Sequence, residues 1–166
     1  MRSNTRNRLA LVVFCAAATA VLALAVPASA KSPIVHKVSV GGPDSCVPLG
    51  FDGPGCNANY SIEAKQFADG TVTGQYTDQF GHGDGGFHAT VDCLSVVGNS
   101  AWIGGVITSG SYGNVGDRVV TRVVDNGNNA NDPPDQITYS YLSNISCTTH
   151  FSSPLLDAPQ GRVKVS

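Results

Sequence analysis

Residues 60–80, YSIEAKQFADGTVTGQYTDQF, decide how this chain folds. Tyr60 to Phe67 can run as a strand that stops at Ala68-Asp69-Gly70, where Gly70 tolerates the positive φ of a tight antiparallel connection. Thr71 to Phe80 returns beside it. Val72, Gly74, Tyr76 and Phe80 alternate with Thr71, Thr73, Gln75, Thr77 and Gln79, which makes one face apolar and the other wet. A period of two on both sides of an Asp-Gly reversal predicts a β-hairpin.

The same grammar recurs outward from this hairpin. Phe87 to Val97 reads as a strand with Phe87, Ala89, Val91 and Cys93 on one side, and Gly98-Asn99-Ser100 turns it into Ala101 to Ser109. Gly104 and Gly105 follow Trp102 in that strand and mark a bulge, or a place where the indole lies over bare backbone. Arg118 to Val124 reads as buried on both faces except at its two arginines. Asp125 to Asp135 is a polar surface loop, Gln136 to Leu142 places Ile137, Tyr139 and Tyr141 on one face, and Arg162 to Val165 is a short closing strand. Toward the N-terminus, Ile34, Val38 and Val40 share a face that His36 interrupts, ahead of a loop from Gly41 to Asn59 rich in Gly and Pro. Glu63 is the single Glu and Met1 the single Met, so good helix formers are scarce. The expectation is all-β: one antiparallel, disulfide-stapled domain of about seven or eight strands, either a sandwich or a small closed barrel.

The first thirty residues are built differently. Arg2, Arg6 and Arg8 precede an uncharged apolar run from Leu9 to Val26, and Ala28-Ser29-Ala30 supplies the small residues that signal peptidase accepts. Residues 1–30 therefore read as a cleavable signal peptide and 31–166 as the domain, with an uncleaved anchor as the rival because about 18 apolar residues suffice to span a bilayer. Cleavage removes three of the ten basic residues and none of the twelve acidic ones, leaving seven against twelve, a net charge of −5. That balance argues against nucleic acid as a partner, and no stable membrane insertion is expected once the leader is gone.

Cys15 leaves with the leader, and Cys46, Cys56, Cys93 and Cys147 remain. An even set in an exported chain reads as two disulfides. Of the connectivities open to four cysteines, Cys46 with Cys56 is favoured because the Gly- and Pro-rich segment between them can curl back, which leaves Cys93 to clip a strand to the C-terminal tail through Cys147. Zinc is the alternative, but its close C-x-x-C spacings are missing.

Side chains with chemistry gather in three places. Asp78, His82, Asp84, His88 and Asp92 lie on one hairpin and its tip, Gly81 to Gly86; histidines and carboxylates are what a metal or a general base requires. Their spacing matches no defined site, and a solvated turn is the plainer reading. Asp125, Asn126, Asn128, Asn129, Asn131, Asp132 and Asp135 offer oxygen ligands, which makes calcium the candidate cofactor. Ala130 stands where the helix-loop-helix calcium motif has its Gly and Gln136 where it has its bidentate Glu, so an Asn-rich turn competes with that reading. Trp102, Tyr139 and Tyr141 are the rings on which a sugar would stack, unless they fill the core. Asn144-Ile145-Ser146 matches the glycosylation sequon but carries no meaning in a bacterial exported protein. No nucleophile elbow and no phosphate-cradling loop is present, so no catalytic residue is assigned.

Phe67-Ala68-Asp69-Gly70, Gly74-Gln75-Tyr76 with Asp78, Val91-Asp92-Cys93-Leu94-Ser95-Val96-Val97-Gly98-Asn99-Ser100-Ala101, Gly104-Gly105-Val106-Ile107, Val124-Asp125-Asn126-Gly127 and Pro134-Asp135 together resemble an uncharacterised β-rich domain of secreted bacterial proteins, similar to post-COAP-type modules. The resemblance spans about residues 60–142. It implies a β fold and assigns no catalytic residue. The expected function is that of a secreted, extracellular, non-catalytic binding or structural module. Its rivals are a small barrel enzyme acting on a hydrophobic or sugar-like molecule and a calcium-stabilised envelope or matrix component.

Overall fold

The structure, a computed structural model, describes residues 31–43, 58–80, 85–138, 141–158 and 161–166, with Tyr141 described by its backbone alone. Residues 1–30, Cys46, Cys56, His82, Asp84 and Tyr139 lie outside the described residues. The strands are β1 (Ile34–Pro43), β2 (Asn59–Phe67), β3 (Val72–Gln79), β4 (Gly86–Val97), β5 (Ser100–Gly110), β6 (Arg118–Val124), β7 (Gln136–Ile137), β8 (Tyr141–Leu142), β9 (Leu156–Asp157) and β10 (Arg162–Val165). Nine of them follow one another in a single antiparallel sheet, in the order β10-β1-β2-β3-β4-β5-β6-β7-β9, and β8 pairs with β6 beside that path.

This corrects the expected seven or eight strands. The run Gln136 to Leu142 divides into β7 and β8, both on β6. Thr138 ends β7, its amide donating to the Arg122 carbonyl at 2.9 Å. Leu156–Asp157 adds a strand on β7. Two-residue strands have no alternation to read.

The 60–80 hairpin forms as its pattern dictates. Gly70 takes φ 85°, and Asp69 Oδ1 accepts from the Thr71 amide at 2.9 Å, a bond that holds the Asp69 carboxyl below its usual range. Between β4 and β5, Gly98 at φ 59° followed by Asn99 gives the pattern of a type II′ turn.

Two β-bulges alter the expected faces. Val91 pairs with Gly105 and Cys93 with Gly104, so Asp92 is an extra residue in β4. Beyond it the parity flips: Leu94 joins the inner core and Cys93 turns outward, not inward with Val91 as the alternation predicted. Gly105 permits the bulge, because a Cβ there would lie 2.6 Å from the Thr90 carbonyl oxygen. Likewise, the register slips at Val35 between Ile34 and His36, which leaves Ile34 half exposed rather than beside Val38 and Val40.

A flat sheet could not gather its apolar side chains into one body. Here Val38, Val40, Tyr60, Ile62, Tyr76, Phe87, Val91, Leu94, Ile103, Ile107, Val119, Val123, Ile137 and Val163 form one buried cluster drawn from strands across the sheet. The sheet must therefore curl into a half-barrel, and Gly74 is one place where it does so, since a Cβ there would stand 1.9 Å from the Glu63 carbonyl oxygen. Each large side chain fully buried in this way contributes about 1.5–3 kcal/mol. Tyr76 meets Phe87 edge-on at 4.9 Å, and Tyr112 meets Phe80 at 5.2 Å. Tyr112 in turn packs against the inner cluster.

Curling brings the two ends of the sheet together, and carboxylates join them. Lys37 and Ser166 exchange both backbone hydrogen bonds, so by the antiparallel alternation Ser39 and Lys164 form the next bonded pair. The amides of Val163 and Val165 consequently point away from β1, along the free edge of β10. Asp135 Oδ2 accepts from Val163 N at 2.6 Å, and Asp125 Oδ2 accepts from Val165 N at 3.0 Å. An open edge that would pair with other chains is thereby satisfied internally.

Burial pushes the Asp125 carboxyl up, but the Val165 and Gly127 amides and the Lys164 ammonium outweigh it and leave the group below its ordinary value. A carboxyl whose pKa is depressed in the folded state adds stability above its unfolded pKa of about 3.9 and loses it as pH falls through the lower folded value. In urea unfolding, the native protein should therefore lose more stability than Asp125→Asn between about pH 5 and pH 2. Equal losses would show that this carboxylate is not held by the edge.

Candidate functional site

Of the hairpin cluster, the three members that the structure describes, Asp78, His88 and Asp92, stand at separate places. Asp78 pairs with Phe87 and Thr77 with His88 across β3 and β4. Asp78 shares the inner face with Tyr76 and is buried, with the Tyr76 hydroxyl donating to its Oδ2 at 3.5 Å. His88 lies on the outer face, its Nδ1 3.0 Å from Thr77 Oγ1. Asp92 is on the outside too, but four residues and roughly 13 Å farther along β4. It is occupied there by a two-pronged bond from Arg118, at 2.8 Å and 2.6 Å. That bond pushes the guanidinium pKa higher still. A cleft of about 300 Å³ opens beside Asp78 and His88, floored by Gly85, Gly86 and Gly110.

The Asp125–Asp135 loop is organised around its own backbone. Asp135 Oδ1 accepts from Asn126 N at 2.8 Å while its other oxygen holds Val163. Asp125 Oδ1 accepts from Gly127 N at 3.2 Å. Asp132 Oδ2 accepts from both the backbone and side-chain nitrogens of Asn129, at 2.8 Å and 2.9 Å. Asn126 Nδ2 donates to the Pro134 carbonyl at 2.7 Å, and Asn128 and Asn131 are exposed. The carboxylates a calcium ion would need are turned toward amides, and among the described residues no three His, Cys, Asp or Glu side chains group as metal ligands.

Trp102 is buried, though outside the inner cluster. It lies on the outer face of β5 under the segment 143–155. Cys93 and Cys147 form a disulfide with Cα atoms 6.0 Å apart, 54 residues apart in sequence; closing a loop of that size stabilises by about 4 kcal/mol in the chain-entropy treatment. The bridge seats a 3-10 turn, Cys147–Thr149, on β4 and β5. Beyond the turn, the Phe151 carbonyl accepts from Trp102 Nε1 at 2.9 Å, and the His150 ring lies 4.6 Å from the indole. The Arg122 guanidinium packs 4.9 Å from the same ring. Of the three rings proposed for a sugar, Trp102 is thus covered by the segment 143–155.

Two arrangements were not foreseen. Ser95 Oγ lies 2.8 Å from His150 Nε2, the contact of a nucleophile with its base; Ser95 stands opposite Trp102 across β4 and β5, which was readable only once the bulge had fixed the register. The other is a polar cleft of about 220 Å³ on the outer face of β2 and β3, lined by Ser61, Glu63, Lys65, Thr73, Gln75 and Thr77. Ser39 on β1 extends it by donating to Glu63 Oε1. The alternation of the 60–80 hairpin already gave Thr73, Gln75 and Thr77 to the wet face.

Because the loop carboxylates already serve amides, calcium at about 1–10 mM should leave the thermal midpoint unchanged. A rise of several degrees would mean that Asp125, Asp132 or Asp135 exchanges its amide partners for the metal. No protein-family model, curated protein or solved structure matches this chain, so the functional reading rests on its own residues.

Proposed function

We propose that the chain is an exported, extracellular module that binds or supports other surface components and does no chemistry of its own. The observation that carries this reading is the division of faces. The inner face is filled by one apolar cluster that includes Tyr76 and Phe87, which takes the space an internal substrate would use. Among the described members of the hairpin cluster, Asp78 lies inside, His88 lies outside and Asp92 is bound to Arg118.

What the protein offers a partner is its outer surface. The cleft over β2 and β3 presents hydroxyls, an amide, a carboxylate and an ammonium on rigid strands, and groups held on paired strands can bind without reordering. Such a surface suits a hydroxyl-rich polymer of the cell envelope. The leader pattern of residues 1–30 and the disulfide accord with work outside the cell.

The test is NMR titration of the isotopically labelled full chain with purified cell-wall polysaccharide, alongside labelling by a fluorophosphonate probe. Shifts confined to Ser61, Glu63, Thr73, Gln75 and Thr77, with no probe on Ser95, are expected. Covalent labelling of Ser95 that His150→Ala abolishes would overturn the non-catalytic reading.

A further inference from the structure

The layer over β4 and β5 is built as a strap. We infer that residues 143–155 form a redox-released cover over Trp102, held shut by the Cys93–Cys147 disulfide. The inference concerns the cover alone and does not depend on what the β2–β3 face binds.

The strap is pinned at both ends. Leu142 pairs with Val119 before it and Leu156 with Ile137 after it. Between those pins it touches the sheet at few points: Ser143 N donates to the Arg118 carbonyl at 3.0 Å, His150 meets Ser95, Phe151 meets Trp102, and the disulfide makes the one covalent link among the described residues. Its other bonds among the described residues are internal, with Ser146 capping the Thr148 amide and accepting from Thr149 Oγ1 through its carbonyl.

The end of the 3-10 turn is where the cover meets the indole. His150, at φ 50°, is the one non-glycine residue with positive φ among the described residues, and it is the residue whose ring lies against the indole. His150 is the left-handed C-cap of the 3-10 turn, its amide donating to the Cys147 carbonyl at 3.4 Å, so its placement follows from where the bridge seats Cys147 on the outside of β4. The sheet beneath has its own support, because no residue of the strap belongs to the inner cluster.

Opening requires a dithiol reductant. Its thiolate attacks the sulfur of Cys93, which is less buried than Cys147. The S–S bond breaks, Cys147 leaves as a thiolate, and the reductant's second thiol then displaces Cys93 as it closes its own disulfide. Two electrons and two protons pass to the protein, which ends with two thiols. His150 can then leave the left-handed region, and both the ring and the Phe151 carbonyl withdraw from the indole.

Trp102 is the only tryptophan in the chain, so its fluorescence reports the strap directly. Acrylamide quenching should rise several-fold when the full chain is reduced by dithiothreitol, and equally in the Cys93→Ala/Cys147→Ala double variant, which leaves Cys46 and Cys56 untouched. The far-UV strand signal should stay. Unchanged quenching with both thiols shown free by titration would overturn the inference. So would loss of the strand signal in the reduced chain or the double variant, since the bridge would then be holding the whole domain.

Discussion

The fold depends on how the two ends of one sheet are joined. Nine antiparallel strands curl far enough to gather a single core, yet the backbone ladder does not continue from β9 to β10. Asp135 and Asp125 take its place, receiving the two outward amides of β10. Carboxylates suit this task because an ionised acceptor makes stronger bonds to amides than a neutral one. Each also holds the loop that carries it, through the amides of Asn126 and Gly127. One pair of side chains therefore sets the end of the sheet, the course of the 125–135 loop and the closure of the core.

Curvature and covering follow from that closure. Gly74 lets β2 and β3 approach where any side chain would collide with backbone, and Gly105 admits the bulge that turns Cys93 outward. Without the bulge, Cys93 would point into the core and no disulfide could reach the tail. β5 and β6 carry apolar groups on both faces: Ile103 and Val123 inside, and Trp102, Val120 and Val124 outside. The loop read as a calcium site and the indole read as a sugar platform are both explained by closure, the first as an edge clamp and the second as the seat of the strap.

Much of this was legible in the sequence. The Asp-Gly hairpin, the two-sided burial of Arg118–Val124 and the closing strand Arg162–Val165 stand where alternation put them, because period two with turn residues between is a local signal. The glycines Gly104 and Gly105 announced a bulge, but not which residue of β4 it would displace, since that is decided by the partner strand. Asp78 looked like a member of a polar tip, and its place on the inner face beside Tyr76 was written in the same alternation that identified Tyr76. The edge clamp and the Ser95–His150 contact join residues 28 and 55 positions apart. No local pattern encodes such pairs.

Amide hydrogen exchange at Val163 and Val165 tests the closure most directly. These amides face no strand, so protection can come only from the two carboxylates. The account predicts that both exchange as slowly as ladder amides of β1, and that Asp135→Ala, which removes both acceptors, releases Val163 while Val165 stays protected. Exchange of both at the rate of exposed amides in the native protein would contradict it.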